Sequence, residues 1–126
     1  MNKHLLFVDE DHSHRTLITT VFELAGWRVT TSDNGFGTLS QLLSDDHPHA
    51  VIIGDLSPMP ETSLMLVNDV RVAFAGLRLP IVMLSTQATP VDRTMGLAAG
   101  ADRYITKPFS TSTLLLTVEE LLDQAA

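Results

Sequence analysis

Short apolar runs alternate with stretches of helical period along the chain, and Gly or Pro marks most of the joints. Leu5 to Val8, Ala50 to Gly54 (AVIIG) and Ile81 to Leu84 (IVML) are apolar at successive positions. Each predicts a strand covered on both faces, as a parallel sheet between helices requires. Leu17, Ile18, Val21, Phe22 and Ala25 fall on one helical stripe, with Gly26 as its C-cap. Leu64, Leu66, Val67, Val70 and Phe74 predict a second helix closed by Gly76. Leu114, Leu115, Val118, Leu121 and Leu122 predict a last one, opened by Ser110 or Thr111 as N-cap. Trp27 to Thr31 and Arg103 to Thr106 add two strands with weaker patterns, and helices after Asn34 and Val91 complete five repeats of strand then helix. This order predicts an α/β fold with a doubly wound, five-stranded parallel sheet and helices on both faces. In such sheets ligands bind beyond the carboxyl ends of the strands.

That rule brings distant residues together. Asp9 and Glu10 follow the first strand, Asp55 the third, Ser85 the fourth and Lys107 the fifth. Carboxylates crowded at short range raise one another's pKa unless a positive charge sits among them, and Lys107 alone cannot balance the group. A divalent cation can, and an all-oxygen donor set with room for water suits Mg²⁺. A carboxylate nucleophile, a hydroxyl and an ammonium around such an ion are the parts of a phosphoryl-transfer site.

Composition narrows the alternatives. At 126 residues the chain fits a single domain, residues 1–126, that can bury a core without disulfides. With 8 Lys and Arg against 15 Asp and Glu, the formal charge is −7, so the domain offers no basic face for direct nucleic-acid binding. There is no cysteine, and no apolar run approaches the length of a membrane span, which together lead to the expectation of a cytoplasmic protein. His12 with His14, and His47 with His49, sit two apart, a spacing that faces different directions on a helix, so surface histidines are expected rather than metal ligands. Gly35 and Gly37 form a lone GFG, read as a turn and a close-packed helix start rather than a phosphate loop.

The motifs around these residues resemble the receiver domain of two-component response regulators, chemotaxis-regulator-like, nearly end to end. VDED with Arg15, IIGDL, VMLST and GLAAGADRYITKPF each resemble a family segment, the last most specifically. The resemblance implies a flavodoxin-like strand order 2-1-3-4-5. It also implies Asp55 as phosphoacceptor, Asp9 and Glu10 as an acidic pair holding Mg²⁺ with Asp55 and the Ser57 carbonyl, and Ser85 and Lys107 as the groups that meet the phosphoryl oxygens. Tyr104 would be an aromatic switch and the Lys107–Pro108 bond cis. A sensor histidine kinase or phosphotransfer protein would supply the phosphoryl group. An output domain or partner protein would read the face of the fourth helix, fifth strand and fifth helix, with a homodimer possible on phosphorylation. Such a domain is no enzyme beyond its own dephosphorylation.

Two positions depart from the family pattern. Glu10 replaces the more usual Asp, and the run DLSPMPETS carries Pro58 and Pro60 around Met59 without the usual Gly-containing turn, which predicts a stiffer, differently routed loop. These departures motivate an alternative, a degenerate receiver acting as a phosphorylation-independent interaction module. A third reading follows from LLFVDED, which also resembles the nucleophile motif of haloacid-dehalogenase-type phosphatases, with Asp9 attacking and Asp11 as acid and base. That class needs a second acidic metal motif late in the sequence, which is missing here.

Overall fold

The computed structural model describes residues 3–42, 44 and 46–125. Ten elements alternate: β1 (His4–Val8), α1 (His12–Leu24), β2 (Arg28–Ser32), α2 (Gly35–Leu42), β3 (Ala50–Ile53), α3 (Glu61–Ala73), β4 (Ile81–Ser85), α4 (Pro90–Ala99), β5 (Arg103–Thr106) and α5 (Thr111–Ala125). All strand pairs are parallel and the order is β2-β1-β3-β4-β5, as the alternation and the resemblance imply.

Side chains alternate across a strand, and β1 divides the core accordingly. Leu5 and Phe7 point to one face and pack with Ile18, Phe22, Leu114 and Val118 of α1 and α5. Leu6 and Val8 point to the other and pack with Leu66, Val67 and Val70 of α3. Every residue of β1, β3 and β4 is buried, which is why those strands read as continuous apolar runs. The edge strands β2 and β5 are only partly covered, and their signals are correspondingly weak. β2 starts at Arg28, one residue later than the sequence suggests. Trp27 instead closes the turn after α1, buried edge-to-face against Phe22 at 5.6 Å. Gly26, at φ 91°, takes the left-handed conformation that ends α1.

Two expectations need correction. Leu17, placed on the buried stripe of α1, is 44% exposed, because only Ile18 and Phe22 of that helix face the sheet squarely. His4 begins β1, one residue ahead of the run from Leu5 to Val8, and is fully buried. Its ring bonds Thr30 Oγ1 at 2.7 Å, and its backbone N–H donates to His49 Nδ1 at 3.0 Å.

Burial, and next the positive charge of Arg28, hold the His4 imidazole below its ordinary value. The folded chain therefore keeps His4 neutral while the unfolded chain takes up a proton below about pH 6.5, so this contribution to stability is intact above that pH and declines as pH falls toward the folded value. The expected result is a melting temperature that drops between pH 7.5 and 5.5, with a slope of at most about 1.4 kcal/mol per pH unit from this group. His4→Leu should flatten that segment of the profile, and an unchanged slope would assign it elsewhere.

Candidate functional site

β1 and β3 end in register, with Val8 beside Ile53, and β4 and β5 end in register, with Ser85 beside Thr106, two positions beyond Met83, the partner of Ile53. The residues just past these ends share an open cleft of about 400 Å³ lined by Asp9, Glu10, Asp11, Asp55, Ser57, Thr86 and Lys107, with His14 and Met59 at its border. Every ionisable residue proposed from the sequence for this surface is therefore brought there.

Lys107 lies at the centre. Its ammonium donates to Asp9 Oδ2 at 3.0 Å and stands 3.5 Å from Asp55 Oδ2. The three side chains are 9%, 1% and 15% exposed, so this is a shielded ion triad rather than a surface pair. The second Asp9 oxygen accepts the Asp11 N–H at 2.9 Å, and the Asp9 carbonyl accepts the Arg15 guanidinium at 2.6 Å. Asp9 fits because its neighbour just past β3 is glycine: a Cβ at Gly54 would stand 2.6 Å from Asp9 Cγ and closer still to its oxygen.

Asp55 is held by neutral donors as well. Ser85 Oγ donates to Oδ1 at 2.6 Å, and Oδ2 accepts both the Thr86 N–H at 3.0 Å and the Thr86 hydroxyl at 2.9 Å. Burial pushes the Asp55 carboxyl up, but these hydrogen bonds and Lys107 together outweigh it and hold it below the ordinary carboxylate value. The rise expected from crowded carboxylates is thus reversed at Asp55. Sequence reasoning passed over Thr86, although it directly follows Ser85 in VMLST, and Gly54, whose contribution is the absence of a side chain.

Glu10 extends away from Lys107. Its Oε1 accepts the Ser57 N–H at 3.0 Å and the Ser57 hydroxyl at 2.8 Å, so the added methylene spans from the end of β1 to the loop after β3. Asp11 caps α1 through the His14 N–H at 3.1 Å. His14, expected as a plain surface residue, is half-buried, with Nδ1 3.6 Å from Asp9 Oδ2 and its ring edge-on to Phe109. The SPMP loop leads into α3 with Pro60 in the N-cap position and no side-chain cap, and Pro58 and Pro60 both follow cis peptide bonds, as does Pro108.

Tyr104 is buried beneath α4, and its hydroxyl donates to the Gln87 carbonyl at 2.6 Å. The ring lies against Gly96, where a Cβ would stand 2.6 Å from Cδ2, and the Arg93 guanidinium sits 5.7 Å above it. Burial pushes its phenol above the ordinary value.

The donor set suits a hard cation: carboxylate oxygens of Asp9, Glu10 and Asp55 border one cleft, with no thiolate available. Among the described residues no three acidic or histidine side chains converge as a preformed cage. Oxygen donors bordering an open cleft with room for water are the kind of site Mg²⁺ takes.

Residues 5–119 match the family model described as the response regulator receiver domain. The chain is 32% identical over 123 residues to the transcriptional regulatory protein GltR of Pseudomonas aeruginosa, covering 98% of this chain and 50% of that one. It is 33% identical over 120 residues to the response regulator SaeR of Staphylococcus aureus, with 94% and 50% covered. The chain thus spans about half the length of these curated relatives. Among solved structures, a putative response regulator from Chloroflexus aurantiacus superposes with a TM-score of 0.87 at 30% identity, covering 98% of this chain and 99% of that one. The receiver domain of the Francisella response regulator 1452 gives 0.86 at 26%, covering 99% and 100%.

The hydrogen bonds to Asp55 generate a direct expectation. In metal-free buffer the Asp55 carboxyl carbon should titrate below about 3.8, the ordinary value. Ser85→Ala and Thr86→Ala should each move that midpoint upward, because they remove donors to the charged form while burial remains. An unmoved midpoint, read by carboxyl-selective NMR, would show that these donors do not control the ionisation.

Proposed function

The chain belongs to the response regulator receiver domain family, and from that premise we propose that it is a phosphorylation switch whose phosphoacceptor is Asp55. One observation carries the proposal: Lys107 spans Asp9 and Asp55 while Ser85 donates to Asp55 from the opposite side. A phosphoryl group arriving on Asp55 meets an ammonium, a hydroxyl and the Thr86 N–H, the donors that developing charge on its oxygens needs.

In this reading an Asp55 carboxylate oxygen forms the new bond to phosphorus. The bond to the donor breaks, and the leaving group, an imidazole nitrogen of a phosphohistidine or the acyl oxygen of a small phosphodonor, departs with the electron pair. Lys107 pairs with the charge on the transferred group, and Ser85 and Thr86 shift their donors from carboxylate to phosphoryl oxygen. Asp9, Glu10, Asp55 and the Ser57 carbonyl are the residues that would hold Mg²⁺, which supplies charge neutralisation at the phosphoryl oxygens when bound. For Glu10 this means releasing Ser57, since the two are now paired.

The donor is a sensor histidine kinase or phosphotransfer protein, and the reader is an output domain or partner on the face of α4, β5 and α5. GltR is a transcriptional regulatory protein, which supports a DNA-binding output for a longer chain of this kind. Tyr104 and Arg93 connect the cleft to that face, through Gln87 two residues beyond Ser85. Domain extent is proposed as one receiver over residues 1–126. No helix among the described residues is long and apolar enough to cross a membrane.

The phosphatase reading loses its support in the same geometry. The Asp9 side chain is 1% exposed, against 15% for Asp55, and Asp11 caps α1. A phosphorylated donor entering the cleft therefore meets Asp55 more readily than Asp9.

Intact-mass spectrometry with acetyl phosphate tests the proposal. A single phosphoryl adduct that requires Mg²⁺ and disappears in Asp55→Asn is expected, with Lys107→Ala slowing its formation on the order of a hundredfold. A folded protein that forms no adduct and does not respond to beryllofluoride is instead a phosphorylation-independent docking module. Sedimentation with and without beryllofluoride should show association only in its presence, and a monomer under both conditions would count against dimerisation through α4, β5 and α5.

A further inference from the structure

The backbone on either side of Asp55 has left the sheet, since β3 ends at Ile53 and the last contact with β1 is the Gly54 N–H donating to the Val8 carbonyl at 2.6 Å. Beyond that point the Gly54 carbonyl and the Leu56 N–H need other partners, because both are buried. A single side chain provides them. Ser63, in the first turn of α3 and 4% exposed, donates its hydroxyl to Gly54 O at 2.8 Å and accepts from Leu56 N at 3.0 Å. A serine inside a helix commonly bonds a carbonyl of its own preceding turn, but this one reaches across to the strand end.

We propose that Ser63 is a positioning residue for Asp55, a proposal that rests on Asp55 being the phosphoacceptor. The two peptide groups joined by the Ser63 hydroxyl are those flanking the Asp55 Cα. Their planes fix the direction of the Asp55 Cα–Cβ bond. That direction sets whether Oδ1 reaches Ser85 and Oδ2 reaches Thr86 and Lys107. Leu56, buried in the core beside α3, anchors the far peptide, and Gly54, packed against Asp9, anchors the near one. Without the hydroxyl both planes can turn, and the carboxylate departs from its in-line position against the three donors. Misplacement on the scale of an ångström is enough to slow a positioned reaction by one to two orders of magnitude.

The test uses the full chain at a temperature well below its melting transition. Ser63→Ala should form the phosphoryl adduct from acetyl phosphate about tenfold more slowly, and should shift the Asp55 carboxyl-carbon resonance in metal-free buffer. Ser63→Thr, which restores the hydroxyl, should recover the rate. Ser63→Cys keeps the shape with a weak donor and acceptor, and should resemble alanine. A wild-type rate and an unmoved Asp55 resonance in the alanine or cysteine variant, even with a lowered melting temperature, would overturn the proposal by showing that Ser63 only stabilises the fold. If wild-type protein forms no adduct, the phosphoacceptor reading fails, and with it the positioning role. A wild-type adduct with an indifferent Ser63→Ala removes only the positioning role.

Discussion

One ammonium held among buried carboxylates organises this molecule. Asp9 and Asp55 come from adjacent parallel strands, and strands ending in register bring two negative charges into a space with little access to water. Leaving either unpaired would cost several kcal/mol, so the arrangement depends on Lys107 arriving from the far end of the sheet. Its Nζ reaches both carboxylates, and its backbone N–H bonds the Ser85 carbonyl at 2.8 Å, continuing the β4 to β5 ladder by one step. The pairing thus links β1, β3 and β5 across β4. It also leaves a surplus, because one positive charge faces two negative ones and Glu10 stands nearby. Neutral donors take up part of it at Asp55 and Asp9, and the remainder is an electrostatic demand that a small divalent cation would satisfy.

The parts of this arrangement that were legible in the sequence are those fixed by topology. Runs without alternation identified β1, β3 and β4, because strands buried on both faces have no polar side to alternate with. Once parallel strands are assumed, Asp9, Asp55, Ser85 and Lys107 must meet, whatever their separation along the chain. Edge strands gave less. β2 carries intermediate and exposed positions, so its start could be misplaced onto Trp27, an apolar residue that belongs to the turn.

Other features were illegible for a different reason, since they depend on which atom meets which. Glu10 reads as one more acid, yet its side chain reaches Ser57 rather than the triad. Gly54 matters through the missing Cβ that Asp9 replaces, and Ser63 through a hydroxyl turned away from its own helix. Thr86 and Ser63 are ordinary residues at ordinary places in a pattern of hydrophobicity. His4 illustrates the same limit in the core, where a titratable ring replaces an apolar residue at the end of a strand without disturbing its burial.

The conformer described here bears on how a phosphoryl group could act. Ser85 is bonded to Asp55, and Tyr104 fills the slot that Gly96 leaves beneath α4. On the reading of Asp55 as phosphoacceptor, a phosphoryl group would act by strengthening this arrangement over alternatives. The strengthening available is the difference between donors facing a carboxylate and the same donors facing a phosphoryl dianion. One charge-assisted hydrogen bond is worth about 1.5–3 kcal/mol, which corresponds to a shift of about ten- to a hundredfold in population. Tyr104 bonds Gln87 and stacks under Arg93, so a change of weighting in the cleft would extend to the α4 and β5 surface. On that reading the chain would signal by how often its partner face is in order, and its basal output would be set by the same Ser85 and Tyr104 contacts that hold the site together.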